Sequence, residues 1–280
     1  MNYESLKSLV SSPLTRRAFA KNLGLTGAGV AGATMLGSTL LGGALQSAQA
    51  QTTAAATTTF TDTDILNFAL NLEYLEAEFY THASNGDSIA DQGVIPASAV
   101  GGATTGGHMV PDFGASSIAY LASALKFDEQ QHVKLLRTAL GSSAVKKPAI
   151  NLNALGLGFA SVNEFLTLAR AFEDVGISAY LGAAGLIQNK TYLQTAAEIL
   201  SAESQHSGSI RAQVLLRSLT VPPVDSLDVV PTQQHPFNVD QMALAIPRTP
   251  QQVLKIVYAG GNTSGGFFPE GLNGNINSAA

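Results

Sequence analysis

Two Glu-x-x-His pairs are the residues of this sequence that most clearly could bind metal. Glu129 is followed three residues later by His132, and Glu203 is followed three residues later by His206. Residues three apart lie on one face of a helix, so each pair projects a carboxylate and an imidazole together. A ligand set of oxygen and nitrogen atoms suits iron or manganese and disfavours Cu(I).

Two Glu-x6-Tyr units repeat the same kind of spacing elsewhere in the chain. Glu73 is followed seven residues later by Tyr80, and Glu173 is followed seven residues later by Tyr180. The four units alternate as Glu–Tyr, Glu–His, Glu–Tyr and Glu–His, so coincidence is a poor explanation. Tyr80 and Tyr180 are candidate catalytic residues that would hydrogen-bond a ligand or relay an electron. The alternative is that both are plain core tyrosines.

The four glutamates are predicted to point toward apolar neighbours rather than toward water. Glu129 shares a helix face with Leu125 and Leu136, and Glu173 shares one with Leu166. Burying four carboxylates side by side is very costly unless cations compensate their charge. Two divalent cations would neutralise them; without metal, several glutamates would need raised pKa values. The sequence therefore predicts two divalent metal ions, iron or manganese, bound by Glu73, Glu129, His132, Glu173, Glu203 and His206.

Helical segments must position these side chains. Asp62 or Thr63 is predicted to cap the first helix, and a capping box formed by Ser161 and Glu164 is predicted to open the third. Apolar residues at helical spacing predict four long helices. Their predicted ranges are 65–82, 116–140, 161–184 and 191–219.

The connections between the helices indicate their arrangement. Residues 84–114 are rich in glycine and predict a long loop, either ordered or mobile, between the first two helices. About twenty residues join the second helix to the third, and a short turn at 188–189 joins the last two. We therefore predict an all-α fold, a four-helix bundle over residues 61–219 with one crossover connection.

The last sixty residues, 220–280, are predicted to form a C-terminal extension. Thr249 and Pro250 are a typical cap and first turn for a short helix near 250–258. The glycine- and asparagine-rich end could be a disordered tail. Phe267 and Phe268 favour the alternative that part of it packs on the bundle.

The first fifty residues have the pattern of a twin-arginine signal peptide. Arg16 and Arg17 precede a weakly apolar stretch, and residues 48–50 form a small-x-small cleavage site. The alternative is a membrane anchor, but no basic stop-transfer cluster follows. Residues 51–60 are predicted to be a flexible leader. We therefore expect an exported protein, periplasmic or secreted.

Composition excludes several classes of partner. Beyond residue 50 the chain has 11 basic and 19 acidic residues, without basic runs, which argues against nucleic acid and anionic membranes as partners. No second apolar stretch is long enough to span a bilayer. The chain has no cysteine, so none of its residues can hold an iron–sulfur centre or a thiolate zinc site.

Neighbouring residues offer further polar groups. Glu76 partly shares the inward face of the first helix, but Glu73 is preferred because only it has a tyrosine seven residues later. Asp128 and Asp174 flank predicted ligands and are either solvated carboxylates or groups that orient a histidine. Three further histidines are interpreted as surface residues: His82, His108 and His235.

The complete pattern resembles the ferritin-like di-metal carboxylate superfamily, in which two helices contribute Glu and two contribute Glu-x-x-His. Residues 128–132 (DEQQH) resemble a bacterioferritin segment, and residues 70–75 (LNLEYL) resemble a first ferritin-like helix. The chain is most similar to exported bacterial proteins related to plant desiccation-related proteins. This resemblance implies that Glu129 and Glu203 bridge both ions. It pairs Glu73 with His132 at one ion and Glu173 with His206 at the other.

Several functions follow as expectations. The leading hypothesis is a redox enzyme acting on peroxide, O2 or ferrous iron in oxidative or desiccation stress, with ferroxidase-like or catalase-like chemistry. The alternatives are a non-enzymatic, metal-stabilised structural or stress protein and a metal-sequestering protein. The long loop and the extension argue against a closed iron-storing shell. A homo-oligomer of another kind is still compatible with the sequence.

Overall fold

The computed structural model of the chain describes residues 60–114 and 116–280. The predicted signal peptide, residues 1–50, and all of the predicted leader except Phe60 lie outside the described residues. No helix of the described part is both long and apolar enough to cross a membrane. That part contains α1 (Asp62–Asn85), α2 (Ser117–Leu140), α3 (Val162–Ala184), α4 (Lys190–Leu216) and α5 (Pro250–Val257).

The first four helices form a bundle, which confirms the predicted all-α class. α1 packs chiefly against α2, and α3 packs chiefly against α4, while α1 also contacts α3. An aromatic cluster joins α1 to α3: the ring of Phe79 stacks on Phe165 at 5.4 Å and meets Phe172 edge-on at 5.1 Å. Each buried phenylalanine of this kind contributes about 1.5–3 kcal/mol. One core therefore runs through all four helices.

Local hydrogen bonds fix the ends of α1. Thr61 is the cap, so the predicted cap at Asp62 or Thr63 is wrong. The Thr61 hydroxyl accepts from the Asp64 backbone N–H, and the Asp64 carboxylate accepts from the Thr61 backbone N–H. This reciprocal pair satisfies two backbone donors at once, which neither predicted residue could do. At the other end Gly86 adopts the left-handed conformation, with φ of 78°.

The other long helices begin close to their predicted starts. Ser161 caps α3 by accepting from the Glu164 backbone N–H, although the Glu164 carboxylate accepts from Gly158 and Ala160 instead of completing the box. Asn189 caps α4 with its side-chain oxygen. α4 ends at residue 216, three residues before the predicted end at 219.

The long loop between α1 and α2 is packed onto the rest of the molecule. Its strand β1 (Thr104–Thr105) pairs in parallel with β2 (Ile150–Asn151), which lies in the connection between α2 and α3. Lys147, which is buried, donates from Nζ to the Gly102 carbonyl at 2.9 Å and lies 3.5 Å from the Glu78 carboxylate on α1. Lys147, which lies in the connection between α2 and α3, therefore links the loop to α1.

The C-terminal extension also packs on the bundle. Phe267 and Phe268 are buried, as the packing alternative predicts. The Arg248 backbone N–H donates to the Ser178 carbonyl at 2.9 Å. The chain end is tied to α1, because Asn71 Nδ2 donates to the Asn273 carbonyl at 2.9 Å and Asn71 Oδ1 accepts from the Asn273 N–H. The extension is thus a structural part of the domain.

Candidate metal centre

The bundle brings the six predicted ligands to one buried place. The four glutamates are at most 1% exposed and the two histidines at most 8% exposed. Each of the four long helices contributes at least one of them. The residues are Glu73 on α1, Glu129 and His132 on α2, Glu173 on α3, and Glu203 and His206 on α4.

The six residues form two overlapping groups. In each group, one ligand atom from every residue lies within 4.8 Å of the others. Glu129 and Glu203 belong to both groups, which is the geometry required of carboxylates that bridge two ions. The first group is Glu73, Glu129, His132 and Glu203, and the second is Glu129, Glu173, Glu203 and His206.

His132 directs Nδ1 into the first group. Its Nδ1 lies 3.0 Å from Glu129 Oε2 and 3.3 Å from Glu73 Oε2. The same nitrogen lies 3.1 Å from Glu203 Oε1. Three carboxylates therefore converge on one imidazole nitrogen, although a single nitrogen can donate only one strong hydrogen bond.

His206 directs Nδ1 into the second group, and Asp128 fixes its orientation. Its Nδ1 lies 2.9 Å from Glu129 Oε1 and 3.6 Å from Glu173 Oε2. Its Nε2 faces Asp128 Oδ2 at 3.1 Å. A carboxylate on the outer nitrogen of a histidine holds the ring so that the inner nitrogen can act as a ligand. Of the two roles considered for Asp128, the structure therefore favours the orienting one.

Several inward-facing atoms of the cluster lack a hydrogen-bond partner among the described residues. Buried polar atoms are normally paired, because leaving one unpaired costs roughly 1–3 kcal/mol. Bound metal ions would satisfy all of these atoms together. The atoms are carboxylate oxygens and an imidazole nitrogen, which are donors that suit iron or manganese. The residues therefore fit a pair of cations. The unpartnered atoms are Glu73 Oε2, Glu129 Oε1, Glu173 Oε2, both carboxylate oxygens of Glu203 and His206 Nδ1.

The two tyrosines hold the two glutamates that are not shared. Tyr180 on α3 donates to Glu73 Oε1 on α1 at 2.5 Å. Tyr80 on α1 donates to Glu173 Oε1 on α3. Each tyrosine thus crosses to the other helix, and each carboxylate keeps its second oxygen turned toward the centre. The repeated Glu-x6-Tyr spacing therefore produces a reciprocal pair of hydrogen bonds.

Comparison with known proteins agrees with this geometry. A model of the family described as "Ferritin-like domain" matches residues 61–215, which is more than half of the chain. The chain belongs to the ferritin-like domain family. A relative named "Ferritin-like catalase Nec2", from Nesocodon mauritianus, is 24% identical in an alignment that covers 77% of this chain and 84% of the relative.

Burial dominates the electrostatics of the ferritin-like centre. It raises the pKa of Glu73 to about 7, against the opposing effect of His132. Burial, and then the charges of Glu129 and Glu173, raise the pKa of Glu203 well above its ordinary value. In the metal-free protein these carboxyls therefore resist ionisation, as expected where negative charges are crowded in an apolar place.

The shared glutamate and the histidines shift in the opposite sense. Burial alone would raise the pKa of Glu129, but the adjacent imidazoles of His132 and His206 outweigh it and lower that pKa. Burial would likewise lower the pKa of His206, but Glu129 and Glu173 raise it to about 12. In the metal-free protein, protonated histidines thus offset part of the carboxylate charge.

Glu76 is a fifth buried carboxyl beside the ferritin-like centre. It lies one turn after Glu73 on α1, is 5% exposed, and belongs to neither ligand group. Burial, followed by the charge of Glu203, raises the pKa of Glu76 well above its ordinary value. The two ligand groups therefore include Glu73 and leave out Glu76, which is buried as its partly inward helix face predicts.

Two interpretations made from the sequence need correction. His82 is not a surface residue: it is 8% exposed, and its Nδ1 lies 2.9 Å from the Glu78 carbonyl. The long loop covers it, because Gly107 packs against its ring. Asp174 orients no histidine; its carboxylate accepts from Arg211 Nη1 at 2.6 Å and from Ser207 at 2.7 Å. His108 and His235 are exposed, as expected.

Proposed function

We propose that this protein is a di-metal enzyme, holding iron or manganese, that converts two molecules of hydrogen peroxide into two of water and one of O2. The observation that carries the proposal is the pair of overlapping ligand groups sharing Glu129 and Glu203. Glu73 and His132 would complete the coordination of one ion, and Glu173 and His206 would complete that of the other. Two such ions, held by the shared glutamates, would supply two-electron exchange with a peroxide.

The chain's own residues position the ligands and exclude water. Tyr80 and Tyr180 hold one oxygen of each unshared glutamate, so the other oxygen stays available. Asp128 holds His206 from outside. The four glutamates are buried, so bulk water would have little access to a peroxide that reacts between them. These hydrogen bonds prepare the ligand geometry before any substrate arrives.

Two facts favour peroxide disproportionation over other di-metal reactions. The chain has no cysteine, and so no thiolate-bound electron-transfer centre of its own. Disproportionation needs no reductant, since one peroxide is oxidised while the other is reduced. The relative named as a ferritin-like catalase adds support for the same reaction.

An oxygen-evolution assay tests the proposal. The full chain, loaded in turn with manganese and iron and checked by elemental analysis, is mixed with hydrogen peroxide. We expect two ions per chain and O2 release in a ratio of one to two peroxides. Glu203→Gln should lose both metal and activity, whereas Glu198→Gln, an exposed glutamate on the same helix, should keep both. Metal-loaded protein without O2 release would refute the proposal, and oxidation of added ferrous iron instead would assign a ferroxidase.

A second candidate is a metal-stabilised structural or stress protein. It is favoured by one observation, that all four bundle helices contribute ligands, so the ions would cross-link the fold. In that case chelation should greatly lower the melting temperature although the metal-loaded protein turns over no peroxide. The same two measurements, melting and O2 release, separate the candidates.

We further propose export through the twin-arginine route. The support is the sequence pattern around Arg16 and Arg17 and the cleavage motif at 48–50. Replacing both arginines by lysine should retain the full chain in the cytoplasm as an unprocessed precursor. The control is the unchanged chain, which should be found outside the cytoplasm with its first fifty residues removed. Normal export of the lysine variant would refute this route.

A further inference from the structure

A cavity lies between the bundle and the C-terminal extension. Its volume is about 640 Å³, which is within the range of pockets that enclose small organic molecules. Residues of α1 and α3 line one side, and residues 222–227 and 252–260 line the other. The extension therefore creates a space that the four bundle helices alone would not enclose.

The lining of the cavity is mainly apolar and includes some polar residues. Leu168 and Phe267 line it and are buried. Gln252 and Lys255 also line it but are solvent-exposed. Within the described chain, the Lys255 ammonium donates to the Asn262 side-chain oxygen and pairs with no carboxylate. Two other charged lining residues already have counter-charges, since Arg170 pairs with Asp228 and Asp225 pairs with Arg248. An occupant would therefore meet mainly apolar walls and one exposed cation, Lys255, that has no carboxylate partner in the described chain.

The inner end of the cavity reaches the metal centre. Glu76 and Gly176 both line it. A Cβ atom at Gly176 would lie 3.1 Å from Glu76 Oε1 and 3.6 Å from Glu203 Oε2. Glycine inside a helix costs about 1 kcal/mol relative to alanine. The missing side chain thus leaves open the place that adjoins the carboxylate of a shared ligand.

Hydrogen peroxide alone does not account for a cavity of this size. A water molecule takes about 30 Å³ of liquid volume, and peroxide, with one more oxygen atom, needs only slightly more, roughly 40 Å³. The cavity is more than ten times larger and mainly apolar, whereas peroxide is small and polar. Its volume and mainly apolar lining instead fit a larger organic molecule.

We infer that the cavity binds a long-chain carboxylate, with its apolar chain along Leu168 and Phe267 and its carboxylate near Lys255. The far end of the chain then lies beside Gly176, next to Glu203. Binding itself does not depend on the proposed function. The position of the chain end relative to the metals does rest on the proposed metal centre.

A fluorescence titration of the full, metal-free chain tests binding. The probe is cis-parinarate, whose emission rises in apolar surroundings, displaced by dodecanoate. We expect one saturable site per chain. Ala171→Trp and Thr167→Trp, which fill half-buried lining positions of α3, should each weaken binding roughly tenfold or more. Asn163→Trp, at an exposed position of the same helix away from the cavity, should leave it unchanged.

The polar end is tested separately. Lys255→Gln should weaken dodecanoate binding about two- to fivefold, as for an exposed ion pair, and leave dodecanol unchanged. Equal effects on the acid and the alcohol would overturn the assigned orientation. Absence of saturable binding, or unaltered binding in a folded tryptophan variant, would overturn the site itself. Circular dichroism checks that each variant is folded. Two cavity-filling variants are used so that the test still works if one of them does not fold.

The buried end is tested with a carboxylate carrying a terminal trifluoromethyl group. Its fluorine resonance should broaden strongly in protein loaded with paramagnetic Mn²⁺ and stay sharp in protein loaded with Zn²⁺. A resonance equally sharp in both, with metal content verified, would place the chain end away from the centre. Because binding is measured without metal, failure of the metal centre and failure of the cavity proposal give different results.

Discussion

Two groups of buried carboxylates in this molecule are neutralised in different ways. Asp174, on α3, has a side chain 2% exposed and meets Arg211 at 2.6 Å and Arg170 at 3.5 Å. Glu173, the adjacent residue in sequence, is just as buried, but in the described chain its carboxylate pairs with no arginine or lysine and instead contacts His206 and Tyr80. Neighbouring residues of one helix thus turn to a cationic cluster on one side and to an anionic cluster on the other.

The two places differ in the source of the positive charge that compensates the carboxylates. Arginine side chains provide it at Asp174, whereas we expect bound metal ions to provide it at the ferritin-like centre. Arginine remains charged in any protein environment, so Asp174 is compensated permanently. The ferritin-like centre and the adjoining Glu76 together present five carboxyls against two histidines, which release their protons when they bind metal. The glutamate cluster is therefore suited to binding exchangeable cations, whereas the ion pair between Asp174 and Arg211 permanently stabilises the fold.

The largest expected effect is that of removing metal. Chelation should lower the free energy of unfolding by about 4 kcal/mol for each ion present at a thousandfold excess over its Kd. Denaturant titrations of loaded and chelated protein measure it. The double variant Glu129→Gln/Glu203→Gln, which removes both shared ligands, should show no response to chelator. Equal stability of the loaded and chelated protein would show that metal ions do not compensate the charge of the glutamate cluster.

Next in size is the loss of the fixed pairing. Asp174→Asn leaves Arg211 buried without a counter-charge, which should cost about 3–5 kcal/mol of unfolding free energy. Because no metal is involved, the loss should be the same in loaded and chelated protein. The exposed Asp87→Asn serves as control and should change stability by less than about 0.5 kcal/mol. A loss seen only in loaded protein would show that the clusters are coupled.

The third effect concerns pH. In metal-free protein the pKa of Glu73 rises from 4.5 to about 7. Its contribution to stability is complete below the lower value and is lost as pH rises through the upper one, on the order of 3 kcal/mol. Metal-free protein should therefore lose stability between about pH 5 and pH 8. Metal-loaded protein should gain relative to it, because metal needs deprotonated ligands. Melting temperatures of both forms across this range measure the gap, and a gap that shrinks with pH would contradict the expectation.

The smallest effect is that of the residue that orients His206. Asp128→Asn should weaken metal binding by about 10- to 100-fold, since the imidazole loses its carboxylate support. Competition with a chelator of known affinity measures the change, and Asp87→Asn is again the control. The stability of the metal-free protein should change little, because the Asp128 side chain is 45% exposed. Unchanged metal affinity would reduce Asp128 to a solvated carboxylate.

The convergence of the six candidate ligands could be predicted because it follows the helical period. Glu129 with His132 and Glu203 with His206 are three residues apart, and such spacing fixes a shared face whatever the surrounding fold. The caps at Ser161 and Thr249 are equally local, since each hydroxyl bonds a backbone N–H three residues on. Features of this kind need no knowledge of distant chain.

The remaining features depend on which distant segments meet. His82 looked like a surface residue because the loop that covers it, through Gly107, is irregular and leaves no periodic signal. The Asp174–Arg211 pair joins residues 37 apart on two different helices. The cavity depends on the path of the extension, which no short-range pattern specifies.

The bond between Asn71 and Asn273 has a consequence for biosynthesis. It joins residues 202 positions apart, and Asn71 lies only two residues before Glu73. During translation α1 therefore leaves the ribosome long before the partner of Asn71 has been made. Such distant pairings slow folding. The ligand cluster also needs Glu203 and His206 from α4, so we expect α1 to reach its final place only after most of the described chain has been synthesised.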